Sequence, residues 1–465
     1  MAATTVVLLL AVAGSAQDAP PQESQAPPVP NEHATFFEHS QAARWWVSGQ
    51  ANIVFQAHGD FYAQYSGPNS LKNHGEHATS RVLTLFTGFE FTPRTIGYFD
   101  VEEAGWGGIS GALGLAGFTN LDVVRNPALG SAPYIARAMI QQIIPFSSET
   151  IEVERTALSL PTRVPVRRLE IRFGKMSLAD FFDVNVGGTD SHYQFLNWVI
   201  DNNGAWDYAA DTRGYTVAAL FDYEDRNWGL RFAEALMPKV ANGPNLDADV
   251  ARARAENIEL ELRPKLLKGK DTTVRFLNYI NHANMGDYEE AVQLDLAGVT
   301  PTPDVTATRK QGTIKYGFGV NFEQELTSDV WAFGRWGWNE GQHESFAYTE
   351  DNLGVEIGGF SKGTRWHRNL DRAGVAFVTS GLSKAHQDYL AHGGLGFILG
   401  DGALNYARED IVEAFYTTHI WRGLFFAFDL QHINHPGMNQ ARGPITVPGL
   451  RLHFEFWECC SQPFD

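Results

Sequence analysis

The chain has 465 residues, with 36 Lys+Arg against 54 Asp+Glu, a formal net charge of −18 at pH 7. That balance excludes a nucleic-acid partner held through its phosphates, which needs clustered cations. The 31 Phe, 15 Tyr and 12 Trp exclude a disordered chain, and two Cys exclude a disulfide scaffold. Length alone suggests two or three domains, yet closed β architectures run this long as one unit.

Residues 1–16, MAATTVVLLLAVAGSA, carry an apolar run that ends on the small Gly14 and Ala16. They read as a secretory signal peptide cleaved near Ala16, although no Lys or Arg precedes the run. Residues 17–44 open with QDAPPQESQAPPVP and are predicted to be a disordered Pro-rich leader and N-terminal segment. From Trp45 onward there is neither a second low-complexity linker nor a repeat of fixed period, so residues 45–456 read as one domain. Residues 457–465 form a C-terminal tail holding Cys459 and Cys460, a pair that cannot supply a zinc site. No later segment approaches 18 uncharged apolar residues, so transmembrane helices are not expected.

Within the domain the period is two. Strands are predicted at 47–57, 82–92, 95–102, 166–173, 216–223, 228–234, 257–263 and 273–280. They continue at 314–323, 330–338, 353–358, 374–380, 411–417, 424–433 and 450–456. Clusters such as LLKGKD (266–271) and LTSD (326–329) fit tight turns between them. The two faces differ sharply. Leu169, Ile171 and Phe173 oppose Arg168, Glu170 and Arg172, and Ile258, Leu260 and Leu262 oppose Glu259, Glu261 and Arg263. Ile314, Tyr316, Phe318, Val320 and Phe322 oppose Lys315, Asn321 and Glu323, while Leu450, Leu452, Phe454 and Phe456 oppose Arg451, His453 and Glu455. Full charges need water, so one face should line a wet lumen and the other should meet lipid. The fold class predicted is therefore all-β: a transmembrane antiparallel β-barrel. A bilayer forbids an open edge, so the sheet must close. About 435 residues at roughly 27 per strand and connection give ~16 strands.

Catalytic signatures are missing from the sequence: it has no G-x-S-x-G, H-E-x-x-H, P-loop or EF-hand spacing. No enzyme activity and no cofactor is expected. His432 and His435 are spaced like metal ligands but lack further ligands nearby, and a turn at Asn434-His435-Pro436-Gly437 explains them better. The pairs Asp100/Glu102 and Glu259/Glu261 each lie on one face of a strand. A glycosidase needs carboxyls facing each other across a sugar, so these pairs suit a lumen electrostatic network beside Arg-bearing strands. Segment 194–216, QFLNWVIDNNGAWDYAADTRGYT, gathers Trp198, Trp206, Tyr208 and Tyr215 with Asn202, Asn203, Asp207, Asp211 and Arg213. Aromatic faces stack on sugar rings while amides, carboxylates and Arg take hydroxyls. A folded loop with buried Trp accounts for the segment equally well.

The chain resembles the carbohydrate-selective outer-membrane porins of the OprB type. The resemblance lies in GALGLAGFTN (111–120), FGKMSLADFFD (173–183), the 194–216 segment and MPKVANGPNLD (237–247). It continues through RAENIELELR (254–263), LGDGALNYAREDIVEAFY (399–416) and NHPGMNQARGPITVPGLRLHFEF (434–456), nearly the full length in order. It implies sixteen strands with inward-folded loops, an aqueous pore, an outer-membrane location and passive diffusion of mono- or small oligosaccharides. It also implies a constriction lined by charged residues, mostly Arg and Glu, and Arg168, Glu170, Arg172 and Glu102 sit in the matching strands. The candidates for pore lining and sugar contact are Asp100, Glu102, Arg168, Glu170, Arg172, Trp206, Asp207, Asp211, Arg213, Glu259, Glu261, Lys315 and Arg451. The chain departs from the pattern in its tail, and in Ser191-His192-Tyr193, where the resemblance leads to a basic residue. Small sugars and outer-membrane lipid are the expected partners, with monomer and homo-oligomer both open. A polysaccharide exporter channel and a secreted β-rich carbohydrate-binding protein are the alternatives.

Overall fold

The structure, a computed structural model, describes residues 43–124 and 129–456. The 1–16 signal peptide, nearly all of the 17–44 leader and the 457–465 tail therefore lie outside the described residues. The chain opens with β1 (Trp45–His58), β2 (Glu76–Thr92), β3 (Thr95–Trp106) and β4 (Tyr134–Pro145). A small separate hairpin follows, β5 (Thr150–Glu152) with β6 (Arg163–Pro165). Next come β7 (Arg168–Met176), β8 (Thr216–Glu224), β9 (Trp228–Leu236), β10 (Arg254–Leu262) and β11 (Thr272–Met285). Then come β12 (Lys310–Glu325), β13 (Val330–Asn339), β14 (Leu353–Lys362) and β15 (Arg372–Gly381). The last three are β16 (Glu409–Trp421), β17 (Leu424–Asn434) and β18 (Ile445–Glu455).

All strands but β5 and β6 join in one closed antiparallel barrel of sixteen, sealed where β18 pairs with β1. Alternation sets the facing. Leu450, Phe318, Ile258, Phe173 and Ile357 are exposed outward, while Arg451, Lys315, Glu259 and Arg172 are buried inward. With no water in hydrocarbon, closure satisfies every strand's backbone groups and the apolar outer band meets the acyl chains. The connections on the two rims differ in length, the 146–167 connection with β5 and β6 being the long one on the rim of short turns. Long loops, such as 59–75, 177–215 and 382–408, share one rim with every other connection, and turns such as 93–94, 225–227 and 422–423 share the opposite rim with both ends of the barrel. The α-helices of the described residues sit in the long loops: α1 (Trp198–Asp201), α2 (Tyr288–Leu296) and α3 (Lys384–Ala391).

Each of the fifteen predicted strands lies on a barrel strand; the sixteenth, β4, is absent from the sequence reading. A bulge explains its absence. Asp100 faces Arg137 and Val101 faces Ile135, which leaves Ala136 as the extra residue and breaks the alternation. Beyond Arg137 the inner face of β4 carries the buried Met139, Gln141 and Ile143, so no run of charges marks it. Part of the inner wall is covered by packed side chains, as where Phe195 of loop 177–215 packs edge-on against Phe415 (4.8 Å) and Phe333 (5.7 Å).

Candidate functional site

A loop inside a barrel brings irregular backbone into a space without bulk water, so its N–H and C=O groups need partners. The inner wall supplies them to 177–215. Arg335 donates to the carbonyls of Ile200 (2.7 Å) and Asp183 (3.1 Å) and to Thr189 Oγ1 (2.9 Å). Arg451 donates to the carbonyls of Ser191 (2.6 Å) and Gln194 (2.9 Å). Glu413 accepts from the N–H groups of Leu196 (2.6 Å) and Asn197 (3.1 Å), and Glu259 from that of Asp183 (2.7 Å). Lys315 pairs with Asp207 at 3.1 Å, and Asp207 also accepts from the N–H groups of Phe346 and Ala347. Charge-assisted bonds of this kind contribute about 1.5–3 kcal/mol each. Inward charges therefore fasten the loop.

A second set of inward charges forms a belt of alternating sign across β7–β12. Glu170 bridges Arg168 and Arg172, and Arg231 reaches Asp222, Glu224, Glu259 and Glu261 at 2.8–3.1 Å. Arg275 joins Glu261 (2.8 Å) to Glu323 (3.1 Å). Arg172 lies 4.9 Å from the centre of the Phe181 ring, so the belt also supports the loop.

The fastened loop leaves space on the opposite side. Between it and the inner faces of β1–β4 lies a cavity of about 760 Å³, within the size range of small-molecule sites. Gln50, Val82, Phe86, Glu102, Tyr134 and Arg137 form its barrel wall, and Asp180, Asp190–Tyr193, Trp198, Asp201, Tyr208 and Asp211–Tyr215 its loop wall. Glu154 and Thr156–Leu158, from the β5–β6 connection, border it as well. That connection folds into the barrel: Leu160 is buried, and its N–H donates to the Tyr98 hydroxyl at 3.4 Å. Among the described residues, seven carboxylates and two guanidinium groups line the cavity. Burial pushes the carboxyls of Asp201 and Asp211 above the ordinary range, and raises the phenols of Tyr193, Tyr208 and Tyr215.

Of the sequence candidates, Glu102, Asp211 and Arg213 line this cavity. Glu102 accepts from Thr84, Tyr134 and Tyr215, and Arg213 lies 4.0 Å from the centre of the Tyr134 ring. Asp100 stands behind the wall, 3.5 Å from Arg137. Trp206 is buried at the loop–wall contact and donates to Asn257 Oδ1 at 3.0 Å. Asp207, Lys315 and Arg451 fasten the loop, while Arg168, Glu170, Arg172 and Glu261 sit in the belt and Glu259 serves both. Trp198, Tyr208 and Tyr215 border the cavity yet are largely buried, Trp198 stacking on Tyr348 at 5.6 Å. His432 meets Thr446 and His435 the Arg408 carbonyl; no metal-ligand cluster occurs among the described residues.

Several wall residues were not sequence candidates. Arg137 lies just past the β4 bulge, and its bidentate partner Asp180 (2.7 Å to each oxygen) sits inside the FGKMSLADFFD stretch. Ser191, His192 and Tyr193 border the cavity, so the departure seen in sequence falls on its wall. Asp201 lay in view within 194–216 but carried no signal beyond its neighbours.

Residues 147–456 match the family described as carbohydrate-selective porin, OprB family. Among solved structures, the chain is similar to the high-pH structure of Pseudomonas putida OprB, with a TM-score of 0.66 at 14% identity, covering 89% of this chain and 94% of that one. It is also similar to the outer membrane channel DcaP of Acinetobacter baumannii, with a TM-score of 0.49 at 11% identity, covering 91% and 100%. Comparison with curated protein sequences returns no match.

Proposed function

Since the chain belongs to the carbohydrate-selective porins of the OprB family, we propose that sugars cross it through the eccentric cavity between loop 177–215 and β1–β4. It is a carbohydrate diffusion channel of the outer membrane. The observation that carries the proposed path is the fastening of loop 177–215 to the far wall, which leaves open space beside Glu102, Tyr134 and Arg137. A polyol moving there exchanges water contacts for wall hydrogen bonds of modest net worth each, so entry stays reversible. The 1–16 segment fits export by a secretory signal. An exporter of anionic polysaccharide would need a cationic passage, and the described residues of the cavity have the opposite balance.

Proteoliposome swelling tests the reading. Protein-containing liposomes should swell quickly in isosmotic glucose and progressively more slowly as the saccharide lengthens. Swelling in glucose no faster than that of protein-free liposomes would contradict it.

A further inference from the structure

Resting on the reading of this cavity as the sugar path, we propose that the channel prefers sugars bearing a protonated amine, with Asp201 receiving the ammonium group. Among the described residues carboxylates outnumber cations on the wall, and both guanidinium groups are engaged. Arg137 is held by Asp180 at 2.7 Å through two bonds, and Arg213 lies over Tyr134. Most wall carboxylates also have partners. Glu102 takes three hydroxyl donors, Asp190 lies 3.3 Å from Arg372 Nη1, and Asp211 accepts two backbone N–H groups.

Asp201 differs. It is only 3% exposed, and its Oδ2 accepts from Asn202 Nδ2 at 2.7 Å. Its Oδ1 has no hydrogen-bond donor. The cation that acts on it most is Arg335, which already serves Asp183 and Glu356. A buried carboxylate oxygen without a donor is costly, and an ammonium offers three donors together with the missing charge. Burial raises the pKa of Asp201, and a cation at Oδ1 draws it back by stabilising the ionised form. Trp198, Tyr208 and Tyr348 wall the same part of the cavity, and charges among such walls are screened less than at an open surface.

The test is uptake of labelled sugars into proteoliposomes at pH 6, comparing glucosamine with glucose, its neutral match in size, and with N-acetylglucosamine. Glucosamine should enter about fivefold faster than glucose, a ratio equivalent to about 1 kcal/mol. The preference should persist in 1 M KCl, where the screening length is about 3 Å and only direct contact survives. In Asp201→Asn the glucosamine-to-glucose ratio should fall toward one. A wild-type ratio near one, a ratio that vanishes in 1 M KCl, or an unchanged ratio in Asp201→Asn would each overturn the proposal. The wild-type and salt arms decide it even if that variant fails to insert. Entry of no sugar above the protein-free rate would overturn the path itself, whereas equal entry of all three would remove the amine preference alone.

Discussion

Arg335→Met is expected to give a channel of larger, noisier conductance that unfolds more readily. The guanidinium lies 2.8 Å from Asp183 Oδ2 and 3.1 Å from Glu356 Oε2 while holding Ile200, Asp183 and Thr189 of the loop. Methionine keeps much of the volume but leaves two carboxylates buried without their cation. Breaking a buried pair on one side costs about 3–5 kcal/mol. The loop then loses contacts near α1 and swings from β13, so the cavity widens. Single-channel recording and the temperature at which the folded form is lost in detergent would check this together. Wild-type conductance with wild-type heat resistance would show that Arg335 does not fasten the loop.

Phe318→Arg should have a comparable effect for a different reason. Phe318 is exposed on the outer face near the middle of β12, against Trp336 and Trp338 at ring separations of 5.0 and 5.2 Å. A charge at the hydrocarbon midplane costs about 2–4 kcal/mol in a barrel. Phe318→Leu, which keeps the face apolar, should cost much less. Equal loss of folded protein for both variants in urea titrations with lipid vesicles would place Phe318 off the lipid face.

The barrel was legible in the sequence because lipid and lumen impose opposite demands on alternate residues. Leu450 to Phe456 and Ile314 to Glu323 show both demands within a single strand. β4 was hidden because a bulge at Ala136 interrupts the alternation and because, beyond Arg137, its inner face packs Met139 and Ile143 rather than a run of charges. The inward direction of Lys315, Arg451 and Glu259 follows from alternation, but their partners do not. Those partners, the Asp183 N–H for Glu259, the Ser191 carbonyl for Arg451 and the Asp207 carboxylate for Lys315, lie on a loop more than 40 residues away in sequence for each of the three, and no local pattern reports where a loop will dock. The same holds for the cavity wall. Glu102, Asp211 and Arg213 could be named from their strand face and segment, whereas Arg137, Asp180 and Asp201 come to one cavity wall only after the loop has folded back across the lumen.

The path itself is open to a direct measurement. In a chain carrying Cys459→Ser and Cys460→Ser, Arg213→Cys would place a single thiol on the cavity wall. Reaction with a bulky methanethiosulfonate reagent should then abolish most of the single-channel current and of glucose uptake, and a thiol reductant should restore both. Complete labelling by mass spectrometry with current and uptake unchanged would show that sugars pass elsewhere in the barrel.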